Sequence, residues 1–207
     1  MKNIKRRETK PLSWKEAKKC LAYLESEKQY HLLLTFAVGI HTGFRVSDLL
    51  ELKFGDFSEN KDVLDIRERK TSKQRSIKIF SELRMIVAIC KDALKKSDND
   101  YLFTRARYRT NKPISKVSFI QRVKDTLDFC GIKYETAAAH TLRKTFALHY
   151  YKMFEKRIGS YRALIETAKQ LNYASTDVTR RYIGIDETTK QEVLAWFSCL
   201  AVSIKAL

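Results

Sequence analysis

Three short stretches of this 207-residue sequence contain residue types that can hold a phosphate group. Arg45 directly follows a Thr-Gly-Phe stretch that ends one helix, and it opens the next helix. His140 and Arg143 stand three positions apart, so they share one face of a helix. That helix begins near residue 139, and free N–H groups at a helix start attract phosphate. The third stretch ends in Tyr182, on a short helix with two arginines before it.

Each of these stretches also has an ordinary structural interpretation. His140 and Arg143 are compatible with a solvated basic helix face. Arg45 and Asp48 are compatible with an i,i+3 surface pair, worth a few tenths of a kcal/mol. Tyr182 is compatible with a half-buried tyrosine of no special function. Taken one at a time, the stretches leave both interpretations open.

The motifs of several other enzyme classes are missing from the sequence. There is no glycine-rich phosphate loop of the GxxxxGK[ST] type, so an ATPase is not indicated. There is no HExxH and no dense run of carboxylates, so a metal hydrolase is not indicated either. We therefore expect no cofactor and no metal, and any catalysis would come from cationic residues, histidine and tyrosine.

The charge balance indicates a polyanionic partner. Lysine and arginine total 41 against 24 acidic residues, which leaves a net charge of +17. Nucleic acid is the first candidate partner, and an anionic membrane surface is the alternative. The longest apolar run, residues 32–40, is about half of a bilayer span, and no secretory signal is present. We expect a soluble, cytoplasmic protein with no membrane association.

The cysteine spacing indicates neither a zinc ribbon nor a redox motif, because no CxxC pair occurs. In a cytosolic protein such cysteines are normally reduced and buried. We expect this state for all four: Cys20, Cys90, Cys130 and Cys199.

The hydrophobic periodicity predicts a mainly α fold with one small antiparallel β-sheet, an α+β class. Alternation predicts strands at 63–68 and 76–80, joined by a polar turn at 71–74. Ser13 and Glu16 have the spacing of a capping box, and Gly43 is placed to stop the second helix. The helices are predicted at 13–27, 30–40, 46–54, 81–96 (capped by Ser81), 115–130, 141–153, 160–171, 176–182 and 187–204.

The order of the motifs along the chain resembles the tyrosine recombinase (phage integrase) family. The motifs are T-G-x-R-x-S-D-L-L, a lysine in the hairpin turn, H-x-L-R and S-x-x-x-T-x-x-Y. The resemblance extends from about residue 12 to about residue 200 and implies the recombinase catalytic-domain fold. Carried over by position, it implies these catalytic residues: Arg45, Lys70, His140, Arg143, Tyr173 and the nucleophile Tyr182. Tyr173 stands where the family usually has His or Trp, and Lys144 stands where a second His is common.

The resemblance implies site-specific DNA recombination, as in integration or inversion of mobile elements, through a 3′-phosphotyrosyl intermediate. Arg45 and Arg143 would bind the non-bridging phosphate oxygens, His140 would be the base, and Lys70 would protonate the leaving 5′ oxygen. Neither ATP nor metal is then required. Two other activities are compatible with the motifs, a type IB topoisomerase-like strand relaxation and a catalytically silent DNA-binding regulator.

The resemblance also predicts how the chain is organised. We expect a basic arm at 1–12, a catalytic domain at 13–185 and a terminal helix within 186–207. The terminal helix is apolar and either packs on its own domain or docks on a neighbouring protomer, in a tetramer on two DNA duplexes. Many integrases carry a further helical domain before the catalytic one. The expectation here is either a truncated chain or, favoured by Met1 and the basic arm, a short single-domain recombinase of the kind that inverts fimbrial promoters.

Overall fold

The computed structural model describes residues 9–105 and 111–185. The chain divides into two compact units, residues 1–150 and 151–207. The predicted helix at 187–204 and most of the basic arm lie outside the described residues.

The described part of the first unit holds a set of helices and one two-stranded sheet. Strands β1 (Val63–Arg67) and β2 (Gln74–Lys78) pair antiparallel, with Leu64 opposite Ile77. A short 3₁₀ helix covers Phe54–Phe57. The α-helices are α1 (Trp14–Ser26), α2 (Tyr30–Thr42), α3 (Val46–Leu49), α4 (Ser81–Ala93), α5 (Lys116–Phe129) and α6 (Ala139–Ile158), which continues into the second unit.

The second unit is described from residue 151 to residue 185. Helix α7 spans Ser160–Gln170 and helix α8 spans Thr176–Ile183, and the two pack together. The mainly α architecture with a small antiparallel sheet confirms the predicted fold class.

Helix α2 is the centre of the first unit. It packs against α1, α4 and α5, and every residue from 33 to 42 is buried. A helix that is surrounded on all sides is apolar nearly all round, which explains the long apolar run in the sequence, interrupted by Thr35 and Gly39. Helix α6 also approaches α2 closely, because a Cβ added at Gly39 would overlap the side chain of Leu142. The end of α2 is therefore held in the interior of the unit.

Several predicted helix ends are confirmed in detail. The side-chain oxygen of Ser13 accepts a hydrogen bond from the Glu16 amide, and Glu16 completes the capping box. Ser115 caps α5 in the same way. Gly43 ends α2 in the left-handed conformation, with φ of 57°. These ends depend on contacts within three or four residues, which a sequence pattern can show.

Other predicted boundaries are wrong. The helix predicted at 46–54 ends at Leu49, because the next segment pairs with a distant one. The Leu102 amide donates to the Leu52 carbonyl at 2.9 Å, and the Phe54 amide donates to the Asp100 carbonyl at 3.1 Å. Ser81 is not a cap: α4 is preceded by Phe80, whose side chain makes no capping hydrogen bond.

The start of α6 at Ala139 agrees with the helix start predicted near residue 139. Strand β2 begins two residues earlier than predicted, and α6 continues to Ile158, beyond the predicted end at residue 153. Both extensions include polar residues that a hydrophobic pattern leaves out, Gln74 and Arg75 in β2 and residues 155–157 in α6.

The expectation of four reduced cysteines is wrong for two of them. Cys20 in α1 and Cys130 after α5 form a disulfide, with their Cα atoms 5.6 Å apart. These residues are 110 positions apart, so only the packing of the chain brings them together. Cys90 is a buried free thiol, and burial raises its pKa to about 12. Cys199 lies outside the described residues.

Candidate active site

The candidate site of the first unit is built on the C-terminal end of α2. Gly43 has φ of 57°, a conformation that residues with a Cβ rarely adopt. Its amide donates to the Gly39 carbonyl at 3.0 Å and so closes the last turn of the helix. A Cβ at Gly43 would also overlap the ring of Phe146 on α6. Conformation and space both require glycine here.

Two buried arginines bind the carbonyl groups that this helix end leaves unpaired. Arg143 is 1% exposed, and its Nη1 donates to the Gly43 carbonyl at 2.5 Å. Arg75 donates from Nη1 to the same carbonyl at 3.0 Å and from Nη2 to the Thr42 carbonyl at 2.8 Å. The end of a helix carries partial negative charge, which stabilises both cations. Gly43 of the first motif thus holds Arg143 of the H-x-L-R motif through its carbonyl oxygen.

Arg75 remains a cation in this buried position. Burial lowers its pKa most, the positive charge of Arg143 lowers it further, and the value is about 9. The guanidinium lies 4.8 Å from the centroid of the Phe44 ring, which gives it a favourable cation–π contact. At neutral pH the site therefore contains a second buried positive charge beside Arg143.

Arg45 lies at the N-terminal end of α3, two residues after Gly43, and it is paired with a buried acid. Its Nη1 forms an ion pair with Oε1 of Glu68, whose side chain is fully buried. The Arg45 side chain keeps 17% of its surface exposed. The Arg45 side chain is therefore held by a countercharge and is still partly accessible to solvent.

Asp48 is not a member of an exposed surface pair, because it is 4% exposed. Its Oδ1 accepts a hydrogen bond from the Arg69 amide at 3.0 Å. The acid of the first motif therefore attaches the hairpin turn to α3.

Lys70 lies in that hairpin turn and is exposed. The turn is closed by two backbone hydrogen bonds, from the Ser72 amide to the Glu68 carbonyl at 2.8 Å and from the Glu68 amide to the Lys73 carbonyl at 2.9 Å. Ser72 has φ of 56°, in the left-handed region. The predicted hairpin turn is present and presents its lysine to solvent.

His140 is the second residue of α6 and is exposed. Its pKa is lowered from the ordinary value of 6.5, first by partial desolvation and then by nearby positive charges. Those charges belong to Arg143, Lys144, Arg45 and Lys70. At neutral pH the imidazole is therefore neutral and can accept a proton.

The two remaining site residues lie together in the second unit. Tyr182 is on α8, which Ser175 caps at one end and Gly184 ends in the left-handed conformation. The rings of Tyr173 and Tyr182 meet edge to face, with centroids 5.2 Å apart and planes at 78°. Both side chains are partly exposed. Tyr173 therefore packs directly on the predicted nucleophile.

The predicted residues thus fall into two groups, four in the first unit and two in the second. Sequence reasoning missed Arg75 and Glu68, which complete the first group. A signal for both existed: Arg75 takes an inward position of β2, and Glu68, one residue after β1, continues the alternation of that strand at a position where an apolar residue is expected. Among residues 9–105 and 111–185, no group of three or more His, Cys, Asp or Glu could hold a metal ion. In the same ranges, no helix has the length and apolar character that a bilayer span requires.

Known proteins resemble this chain in sequence along most of its length. The family model described as the phage integrase family matches residues 10–189. The chain is 35% identical over 187 residues to the probable integrase/recombinase YoeC of Bacillus subtilis (strain 168), covering 87% of this chain and 95% of that protein. It is 33% identical over 158 residues to the tyrosine recombinase XerH of Campylobacter jejuni, covering 74% of this chain and only 41% of XerH.

Solved structures agree with this chain in fold. The crystal structure of the XerA recombinase gives a TM-score of 0.67 at 23% identity, covering 90% of this chain and 64% of that one. The structure of XerH bound to a palindromic difH substrate gives a TM-score of 0.66 at 21% identity, covering 96% of this chain and 56% of that one. The structure of a lambda integrase tetramer bound to a Holliday junction gives a TM-score of 0.58 at 20% identity, covering 88% of this chain and 50% of that one. At these identities the likeness establishes the fold.

Proposed function

The chain belongs to the phage integrase family, and we propose that it is a tyrosine-type site-specific recombinase that cleaves and rejoins double-stranded DNA. The observation that carries the proposal is the pair of arginines at the end of α2, Arg143 buried on the Gly43 carbonyl and Arg45 partly open to solvent. Partial burial and the positive charges of these arginines and of the exposed Lys70 lower the pKa of His140, which is therefore neutral at neutral pH.

The two arginines bind the scissile phosphate. When a tyrosine oxygen attacks phosphorus, negative charge increases on the two non-bridging oxygens. A guanidinium is permanently charged and can bind two oxygens at once. Arg45 and Arg143 therefore stabilise the transition state more than the ground state. Removing one such contact typically lowers the rate by about 10²–10³-fold.

Tyr182 is the nucleophile. Its oxygen forms a bond to phosphorus while the bond from phosphorus to the 5′ oxygen breaks. His140 accepts the phenol proton, because its lowered pKa keeps the imidazole in the neutral, proton-accepting form at neutral pH. Lys70 gives a proton to the departing 5′ oxygen. The products are a 3′-phosphotyrosyl link and a free 5′ hydroxyl.

Religation is the reverse reaction with a new strand. A 5′ hydroxyl attacks the phosphotyrosyl phosphorus, passes its proton to Lys70, and Tyr182 leaves and recovers its proton from His140. The phosphodiester energy is kept in the covalent link, so neither ATP hydrolysis nor a metal ion is needed for the reaction.

The partners follow from the reaction and from the charge of the chain. A net charge of +17 suits a DNA backbone, which the protein contacts electrostatically. Exchange of strands between two duplexes requires a tetramer, and lambda integrase forms one on a Holliday junction. We assign residues 1–12 to a DNA-binding arm, 13–185 to the catalytic domain and 186–207 to a helix that docks on a neighbouring protomer. The chain then acts in the bacterial cytoplasm, at the nucleoid.

A catalytically silent DNA-binding regulator is the second candidate, and Tyr173 is the observation that favours it. A phenol replaces the His or Trp that the family usually has at this position. Type IB topoisomerase-like relaxation uses the same covalent chemistry but requires no synapsis of two duplexes.

A covalent-trapping experiment tests the proposal. A library of nicked duplexes with randomised arms is incubated with the full chain, and adducts that survive SDS are isolated and sequenced. The nick allows the short 5′-hydroxyl product to diffuse away, which traps the adduct. We expect an enriched sequence, called here the selected duplex, and complete loss of adduct with Tyr182→Phe at nearly unchanged DNA affinity. If no adduct forms, or if it persists in Tyr182→Phe, the proposal is wrong.

A further inference from the structure

Glu68 is a buried charge to which neither the sequence motifs nor the proposed reaction assigns a role. Its side chain has no exposed surface. One carboxylate oxygen, Oε1, pairs with Arg45. The other, Oε2, accepts a hydrogen bond from the Thr71 hydroxyl at 2.6 Å. A buried carboxylate persists only when its oxygens are paired, and here the two partners belong to different functional groups.

Thr71 is the residue directly after Lys70, and Glu68 stands two residues before that lysine. Glu68 also closes the turn through its own backbone, with its carbonyl accepting from Ser72 and its amide donating to Lys73. Side chain and backbone of one residue therefore hold both ends of the segment that carries Lys70.

Glu68 also offsets repulsion among the arginines. Burial lowers the pKa of Arg75 most, the positive charges of Arg143 and Arg45 lower it further, and the negative charges of Glu68 and Asp48 raise it. Three guanidinium groups so close together require such countercharge if Arg45 is to remain in place.

We infer that Glu68 is a positioning residue that couples Arg45 to the turn carrying Lys70. It holds the guanidinium that binds the non-bridging oxygens and orders the turn whose ammonium protonates the leaving oxygen. The inference depends on the proposed function, because it concerns the same reaction. It goes beyond that function in assigning two separate catalytic contributions to the placement of one carboxylate.

The test separates these two contributions by changing the leaving group. A 5′-bridging phosphorothiolate replaces the leaving oxygen by sulfur, and a thiolate departs without a proton because a thiol is far more acidic than an alcohol. Single-turnover cleavage is measured on the selected duplex with oxygen and with sulfur at this position. The variants are Glu68→Gln, Thr71→Ala and Thr71→Ser, and the control is Glu51→Gln, which removes an exposed carboxylate paired with Arg69 of the same turn.

Glu68→Gln weakens the hold on Arg45, whose contact is needed for both substrates. We expect its cleavage to fall by about ten-fold to a hundred-fold on both. Thr71→Ala removes the hydrogen bond to Glu68 and the longer one that the Thr71 hydroxyl accepts from the Lys73 amide at 3.4 Å, and it leaves the pair with Arg45 intact. It should slow the oxygen substrate by about two-fold to ten-fold and leave the sulfur substrate unchanged. Thr71→Ser keeps the hydroxyl and should restore the parent rate, and Glu51→Gln should match the parent on both substrates.

Two results overturn the inference while the proposed function stands. One is cleavage by Glu68→Gln at the parent rate. The other is a Thr71→Ala effect that is absent, or equal on oxygen and sulfur, since a merely structural loss does not depend on the leaving group. If the parent chain forms no adduct with either substrate, the proposed function has failed, and the inference fails with it.

Discussion

Replacing Gly43 by alanine should lower both stability and activity, by an amount that follows from two contacts of this residue. The left-handed conformation at Gly43, with φ of 57°, costs a residue with a Cβ about 1–2 kcal/mol. The added Cβ would also overlap the ring of Phe146 and lie 3.0 Å from the Cβ of that residue. Rotation of the ring alone does not relieve the second contact, so helix α6 must shift. Such overpacking costs about 1–3 kcal/mol, giving a total loss of about 2–5 kcal/mol.

Gly131 provides a matched control within the same unit. It has φ of 66°, but a Cβ added there would have no atom within 4 Å. Gly131→Ala should therefore cost only the conformational part, about 1–2 kcal/mol. Urea unfolding of the parent and of both variants gives the two losses of unfolding free energy directly.

Cleavage should separate the two variants further. The Gly43 carbonyl accepts hydrogen bonds from Arg143 and Arg75, so a shift of this backbone moves both guanidinium groups. We expect Gly43→Ala to cleave the selected duplex at least ten-fold more slowly at a temperature where it is fully folded, the order of effect expected for a displaced electrostatic contact. Gly131→Ala should cleave at the parent rate. Equal losses of unfolding free energy in the two variants, or cleavage by Gly43→Ala at the parent rate, would contradict the proposed role of Gly43.

Further outcomes concern Tyr173, pH, metal ions, salt and the C-terminal segment. Tyr173→Phe should slow cleavage by about ten-fold to a hundred-fold, because one hydrogen-bond donor is lost. Tyr173→Ala should be slower still, because it also loses the ring that packs on Tyr182, whereas Tyr173→His should match or exceed the parent rate. If the single-turnover rates of all three variants equal the parent rate, Tyr173 has no role in the site. Acidification should reduce cleavage only below pH 6.5, the ordinary histidine pKa, because the pKa of His140 is lowered and its base form persists to lower pH. A midpoint above 6.5 in the pH–rate profile would contradict the assignment of His140 as the base. Cleavage should continue in excess EDTA, and DNA affinity should fall steeply with salt; activity restored only by added metal, or a flat binding curve, would speak against the mechanism. Deletion of residues 187–207 should leave a monomer, as measured by light scattering, that cleaves a half-site weakly but does not recombine in a strand-exchange assay. Normal recombination or an unfolded product would contradict the docking of this segment on a neighbouring protomer.

The local features of this protein could be predicted from the sequence alone. The capping box at Ser13, the cap at Ser115 and the left-handed stop at Gly43 each depend on residues within one helical turn. The hairpin and the face shared by His140 and Arg143 depend on simple periodicities. A short stretch of sequence contains all the atoms that decide such features, so the pattern and the structure agree. The motif order likewise indicated the family, which the family match confirmed.

Other features depend on pairings between distant parts of the chain. Helix α3 ends at Leu49 because the following residues hydrogen bond to residues 98–102, and these bonds replace those of a continued helix. The Cys20–Cys130 disulfide joins residues 110 positions apart. In neither case does the local sequence contain the partner.

The candidate site shows the same division. The sequence shows which residue types are present and that Arg45, His140 and Arg143 occur in the order of the tyrosine recombinase motifs. The packing of the folded chain places Arg143 on the Gly43 carbonyl, lets Arg75 share this carbonyl and brings Glu68 to Arg45. The physical reason is that a charged group can be buried only where its countercharge or hydrogen-bond partner is already in place. Those partners come from elements far apart in sequence, and their meeting depends on the packing of the whole unit.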